Sequence, residues 1–162
     1  MIPKFRGKSI DKSNKGKWVY GNLIVDGNNA LIVNGIVECE EDYVALGDWC
    51  PVDINTIGQS TSPKDKNGVE IFEGDILEVT DTSLFGGSYR GAIEYLERWG
   101  VYGFSMLDAK VISTNEFDKH SIGFLMKEFG SCFTLAEASK TSNYSYKIIG
   151  NIYENPDLLE SV

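Results

Sequence analysis

Residues 56–77 read TIGQSTSPKDKNGVEIFEGDIL. Pro63 fixes its own φ and pushes Ser62 toward extended backbone, so no helix runs through this stretch. Asn67-Gly68 follows among the charged residues Lys64, Asp65 and Lys66, and both tolerate the positive φ that a two-residue hairpin turn demands. Val69 and Ile71, then Ile76, Leu77 and Val79, are β-branched or bulky apolar residues on either side of Glu73-Gly74-Asp75. Gly74 between two carboxylates marks a bend or bulge where a neighbouring backbone comes close. From Asp75 a strand restarts, with Leu77 and Val79 on one face and Glu78 and Thr80 on the other. Turn, strand, acidic elbow and strand make this a β chain.

The same signals continue outward. Residues 18–25 alternate with a period of two, Asp26-Gly27-Asn28-Asn29 turns, and Ala30 to Val33 returns as the hairpin partner. Asn34-Gly35 reads as a further turn. An acidic stretch then carries Glu38, Glu40, Glu41, Asp42, Asp48 and Asp53 with no basic residue, while Tyr43, Val44, Leu46 and Trp49 anchor it as a structured loop or short strand. On the C-terminal side, Ala92 to Tyr95 and the alternating Tyr102, Phe104 and Met106 form a hairpin around Glu97-Arg98-Trp99-Gly100. Thr114 to Phe129 is the helix candidate: Thr114 or Asn115 can cap it, Ile122, Leu125, Met126 and Phe129 recur at helical spacing, and Gly130 can end it. Tyr144, Tyr146 and Ile148 alternate as a closing strand, which Pro156 stops before a terminal turn at Leu158-Leu159.

The fold expected is mainly β, either all-β or β-rich α+β. A small SH3-like barrel lobe over about 56–155, with a helical insertion at about 114–143, is expected to pack with an N-terminal β-hairpin lobe over about 1–55 as one domain.

Three stretches carry a resemblance. Gly58-Gln59, Asp65-Lys66-Asn67-Gly68 and Glu73-Gly74-Asp75-Ile76 match the mid-chain pattern of the YopX family of phage and prophage proteins. The N-terminal Lys4 to Lys8 with Trp18 to Gly21, and the C-terminal Ile149-Gly150-Asn151-Ile152-Tyr153-Glu154-Asn155-Pro156, match in the expected order. The chain departs at Ser62-Pro63, where the family more often shows Gly-Leu, and in 114–143, which has no counterpart in the pattern. The resemblance implies a mainly β fold, a phage or prophage origin and no established molecular function. It also marks Gly58, Gln59, Asn67, Gly68, Gly74, Asp75, Gly150, Asn151 and Pro156 as a structural hallmark.

At 162 residues the chain can build one well-buried core. A hydrophobic fraction of 42% with 12% aromatics argues against disorder, and the 17 glycines fit many turns. No apolar run is long enough for a membrane span, and no apolar segment follows the basic N-terminus, so a cytoplasmic protein of a bacterial host is expected. Cys39, Cys50 and Cys132 have no C-x-x-C spacing and read as reduced, mostly buried thiols. The net charge of −9 hides an asymmetry: residues 1–17 hold six basic residues against Asp11, which is +5, and the remainder carries −14.

Chemical constellations are sparse. His120 is the lone histidine and reads as solvated or capping, with no triad partner. Three scattered cysteines and one histidine match no zinc spacing, and Gly86-Gly87 lacks the context of a phosphate loop. Glu73 and Asp75, with Glu70 or Asp53, are the candidate ligand or metal elbow, since hard cations want several oxygens. The plainer reading is that these carboxylates bond free backbone N–H groups and hold the elbow's shape. No catalytic residue, metal or cofactor is assigned. The basic arm 1–17 docks more naturally on an acidic surface, as in a homo-oligomer, than on nucleic acid that the acidic body would repel.

These observations support a non-enzymatic module that binds a host or phage protein. Two alternatives stand beside it: an acidic DNA mimic acting against host defence, and a metal-assisted hydrolase built on the Glu73/Asp75 elbow.

Overall fold

The computed structural model describes residues 2–81, 88–97, 101–105, 132–134 and 144–160. The expected helix at 114–129, His120 and the Gly86-Gly87 loop lie outside the described residues. Among those described, the chain is built of antiparallel strands with two short 3₁₀ turns, so the mainly β expectation holds. The chain divides into two units, Met1–Ser60 and Thr61–Val162.

The first unit holds β1 (Phe5–Lys8), β2 (Trp18–Asp26), β3 (Asn29–Cys39), β4 (Val44–Val52), a 3₁₀ turn (Ile54–Thr56) and the start of β5 (Gly58–Lys64). Its strands are hydrogen-bonded in the order β4-β3-β2-β1-β5. Strand alternation sends Ala30, Ile32 and Val52 into one core, against which Phe5, Val19, Leu23 and Ile57 pack. The basic segment is therefore not a free arm throughout: Phe5–Lys8 is an interior strand, pairing Arg6 with Tyr20 on one side and with Gly58 on the other.

One expectation about this unit is corrected and another is resolved. Asn34-Gly35 does not turn the chain, because β3 runs straight through it with Asn34 opposite Asp48, and the irregularity falls later, between Ile36 and Glu38. The acidic stretch combines strand and loop: Glu38 lies at the end of β3, Glu40, Glu41 and Asp42 in the bend that follows, Asp48 on β4 and Asp53 at the cap of the 3₁₀ turn, while Val44, Leu46 and Trp49 are aligned by pairing along β3.

The second unit contains the rest of β5, then β6 (Glu70–Phe72), β7 (Asp75–Asp81), β8 (Ser88–Leu96), β9 (Val101–Ser105), β10 (Cys132–Thr134), β11 (Tyr144–Asn151) and a 3₁₀ turn (Pro156–Leu159). Five strands form a sheet in the order β10-β9-β8-β7-β11. Its core is Ile71, Leu77, Val79 and Ile93, with Tyr102, Tyr146 and Ile148 against it. Among the described residues this sheet stays open, with β10 and β11 at its two ends rather than paired to each other, so the SH3-like barrel expected from the strand order is not formed.

A local correction concerns Ser62. It is not extended but sits at φ +81, the one described non-glycine residue with positive φ. This is the position where the family pattern more often shows Gly, and the left-handed region is where Gly rests without the Cβ clash.

Candidate functional site

The hallmark residues of the second unit gather on β11 and its exit, and they do so through backbone chemistry. At the Asp65–Gly68 turn, Gly68 N–H donates to Asp65 C=O at 2.9 Å, and Asp65 N–H donates to Val69 C=O at 2.8 Å. Only Gly68, at φ +79, takes positive φ, so this is a longer loop with one left-handed residue rather than the two-residue hairpin expected. The Asp65 carboxylate, buried in that loop, is the hub. Its Oδ1 accepts from Asn67 N–H at 2.8 Å and Val69 N–H at 2.9 Å, and its Oδ2 from the Asn67 amide at 3.3 Å and Ile148 N–H at 3.3 Å. Lys66 N–H donates to Tyr146 C=O at 2.9 Å, so the loop grips β11 at two points. Burial alone would raise the Asp65 pKa, but the hydrogen bonds from Val69, Asn67 and Ile148 together outweigh it and hold the carboxyl below its ordinary value.

The acidic elbow reaches the other end of β11. Phe72 N–H donates to Asp75 Oδ2 at 2.8 Å, both groups buried, closing the turn over Glu73-Gly74. Gly74 has φ +82, and a Cβ there would meet Tyr153 Cε2 at 3.0 Å. Its N–H donates to Ile93 C=O at 2.8 Å while its C=O accepts from Ile152 N–H at 2.9 Å. Asn151 then folds the exit turn: its Oδ1 accepts from Tyr153 N–H at 3.1 Å and Glu154 N–H at 3.0 Å, and its amide donates to Glu154 Oε2 at 2.7 Å. Gly150 admits Asn155 so closely that a Cβ would stand 2.5 Å from Asn155 Oδ1. Pro156 opens the last 3₁₀ turn, where its missing N–H costs nothing.

The remaining candidates fall elsewhere. Asp53 belongs to the first unit, where its Oδ1 caps the 3₁₀ turn by accepting from Asn55 N–H at 3.0 Å. Gly58 and Gln59 pair with Arg6 and Phe5 on the same unit's sheet. Glu70 lies on β6, and Glu73 is half-buried near Tyr102, whose hydroxyl pKa is raised first by burial and then by the Glu73 charge and Tyr95. Among the described residues no group of three or more His, Cys, Asp or Glu stands where it could hold a metal ion. Of the cysteines, Cys50 is buried, its thiol 3.1 Å from Ser9 Oγ, whereas Cys39 is exposed rather than buried.

A second feature emerges in the first unit, where β3 and β4 run past the core as a ribbon. Ile36, Val37 and Trp49 are 64%, 75% and 57% exposed there, beside the exposed acids Glu38, Glu40, Glu41, Asp42 and Asp48. At the tip Glu40 N–H donates to Tyr43 C=O at 2.9 Å, and the Tyr43 hydroxyl pKa is raised by its hydrogen bond with Glu38. Of the apolar anchors named from sequence, Tyr43, Val44 and Trp49 are exposed and Leu46 is half-buried.

Comparison with known proteins places this arrangement. The family model described as YopX protein matches residues 4–160. The chain belongs to the YopX family. No curated protein matches it. Among solved structures, this YopX-family chain is similar to protein EF1440 from Enterococcus faecalis, with 26% sequence identity, a TM-score of 0.56, and coverage of 99% of each chain. Among the described residues, no helix is long and apolar enough to cross a membrane.

Proposed function

We propose that this YopX-family protein is a phage- or prophage-encoded binding module, acting through a host or phage protein partner rather than through catalysis. The observation that carries the reading is the β3–β4 ribbon, where Ile36, Val37 and Trp49 stand in solvent around the irregularity between Ile36 and Glu38. Exposed apolar groups clustered within a polar rim mark interaction surfaces. The hallmark carboxylate Asp75 and its neighbour in sequence Asp65 support it too, since both are engaged by backbone donors that fix loop shape. Affinity capture of the tagged chain at native expression, followed by mass spectrometry, tests the reading. A reproducible specific partner is expected, and a capture indistinguishable from an untagged control overturns it.

The DNA-mimic alternative takes support from the run of exposed acids in the ribbon. The apolar side chains interspersed with those acids favour a protein partner, because a surface copying a duplex backbone presents charge without them.

A further inference from the structure

We propose that the outer edge of β4, at Gly47 to Trp49, is the docking site for a basic, extended segment of a partner protein, which joins the sheet as a further strand. The inference rests on the binding-module reading and adds to it the surface and the chemistry of the partner. β4 ends the strand order of its sheet, and the other described pairing along it is confined to its last residues. There Ser9 bridges Val52, and Ile10 N–H donates to Pro51 C=O at 3.0 Å. That bond shows that Pro51 directs its carbonyl outward. Backbone groups alternate along an antiparallel strand, so Trp49 and Gly47 direct their N–H and C=O outward too, while Asp48 and Cys50 face Asn34 and Ile32. Among the described residues these outward donors and acceptors pair with no strand, and such a row is a template for another one.

The side chains around that row state what fits. Trp49 offers apolar area on one face of the edge, while Ile36, which pairs with Leu46, lies on the opposite face with Asp48. Glu38 and Asp48 are exposed, and from Trp18 to Pro63 the chain carries seven acidic residues and no Lys or Arg. A second copy pairing antiparallel through its own β4, centred on Asp48 between Gly47 and Trp49, would set Asp48 against its equivalent, and like charges directly opposite are unfavourable. A segment alternating basic and apolar residues meets both demands, with its main chain on the edge and its cations against the acids.

The test titrates the full chain with an eight-residue peptide alternating Lys and Val, following amide exchange by NMR. Controls are the Glu-Val peptide and a peptide with its four Lys and four Val in blocks. Saturable binding of the alternating peptide is expected, with exchange slowed at the Gly47 and Trp49 amides. Affinity should fall roughly tenfold or more in the Glu38→Lys/Asp48→Lys variant, with neither control protecting those amides. Trp49→Ala, which leaves the charge unchanged, should weaken binding as well and serves if the charge-reversed chain fails to fold. No binding, protection elsewhere, equal protection by the block peptide, or a dimer of the free chain protecting the same amides would each overturn the proposal. Cellular capture with the parent and the charge-reversed chain separates the two readings. A partner held equally by both overturns the β4 site and leaves the binding module standing; no partner with either overturns the module itself. A partner lost only from the variant, cross-linked to Trp49 through a basic segment, supports both.

Discussion

The loop and elbow that clasp β11 in the second unit and the β3–β4 ribbon of the first are made from similar residues, yet they do opposite things with them. Each combines Gly, Asn and carboxylates with β-branched residues. In the clasp, Asp65 and Asp75 are 6% and 2% exposed and are met by backbone N–H groups. In the ribbon, Glu38, Glu40, Glu41, Asp42 and Asp48 are all exposed. What separates the two is the supply of unpaired backbone donors. A loop that leaves its N–H groups orphaned and turns them inward gives a carboxylate a structural task, whereas a ladder that pairs its own inward groups leaves carboxylates to solvent and to partners.

The largest effect that would test this contrast is at the hub. Asp65→Ala removes the buried acceptor of three backbone N–H groups and the Asn67 amide, in a loop whose residues 66–69 are otherwise exposed. A destabilisation of about 3 kcal/mol in chemical denaturation is expected, since each orphaned buried donor costs on the order of 1 kcal/mol or more. A loss under 1 kcal/mol would show that water replaces the carboxylate and that the clasp is no more self-contained than the ribbon.

Gly74 comes next. Its φ of +82 and the 3.0 Å approach of Tyr153 predict that Gly74→Val destabilises by about 1–3 kcal/mol. At Ser62 the sign reverses. With φ +81 in a region that penalises side chains, Ser62→Gly is expected to stabilise by about 0.5–1 kcal/mol, after the added freedom of the unfolded chain is deducted. Thermal unfolding reads both, and a neutral Ser62→Gly would mean that the seryl contacts offset the strain.

These residues also show how far the sequence was legible. Alternation placed β2, β7, β8, β9 and β11, and the family pattern marked Gly74 and Gly150, whose close approaches then explain why glycine stands there. Asp65 was visible only as a turn residue. Its hub role needs Ile148, 83 positions away, and no local signal reports a partner so distant. The open sheet was hidden for the same reason, because closure depends on which strand β11 joins, and its pairing with β7 leaves the ends apart. At Ser62 a local rule was outweighed: proline favours an extended predecessor, but β5 holds that residue left-handed. The ribbon is hidden from sequence because Asn-Gly usually turns a chain, whereas here the pairing of Asn34 with Asp48 carries the strand onward.

The contrast extends to pH. Because the Asp65 carboxyl lies below its unfolded value of about 4, its contribution to stability is fully present above that value. It is lost as pH falls through the lower, folded value. Asp65→Asn cannot titrate, so the stability gap between parent and variant should be constant from neutral pH to about 5 and narrow below about 4. A gap independent of pH would place the loss in geometry rather than charge.

The smallest effects belong to the ribbon. Tyr43 titrates above its ordinary value because its hydroxyl hydrogen-bonds with Glu38, so Glu38→Gln should move the Tyr43 pKa downward in an NMR titration. A raised folded value means that this contact contributes below the unfolded pKa of tyrosine, near 10, and is lost as pH rises through the folded value. At neutral pH both groups are exposed and the pair is screened by solvent, so the melting temperature of Glu38→Gln should match the parent. If it dropped instead, Glu38 would be holding the ribbon's shape as Asp65 holds the clasp. The acids of the ribbon would then be structural, and the distinction between a self-satisfied loop and a surface left open for a partner would fail at its tip.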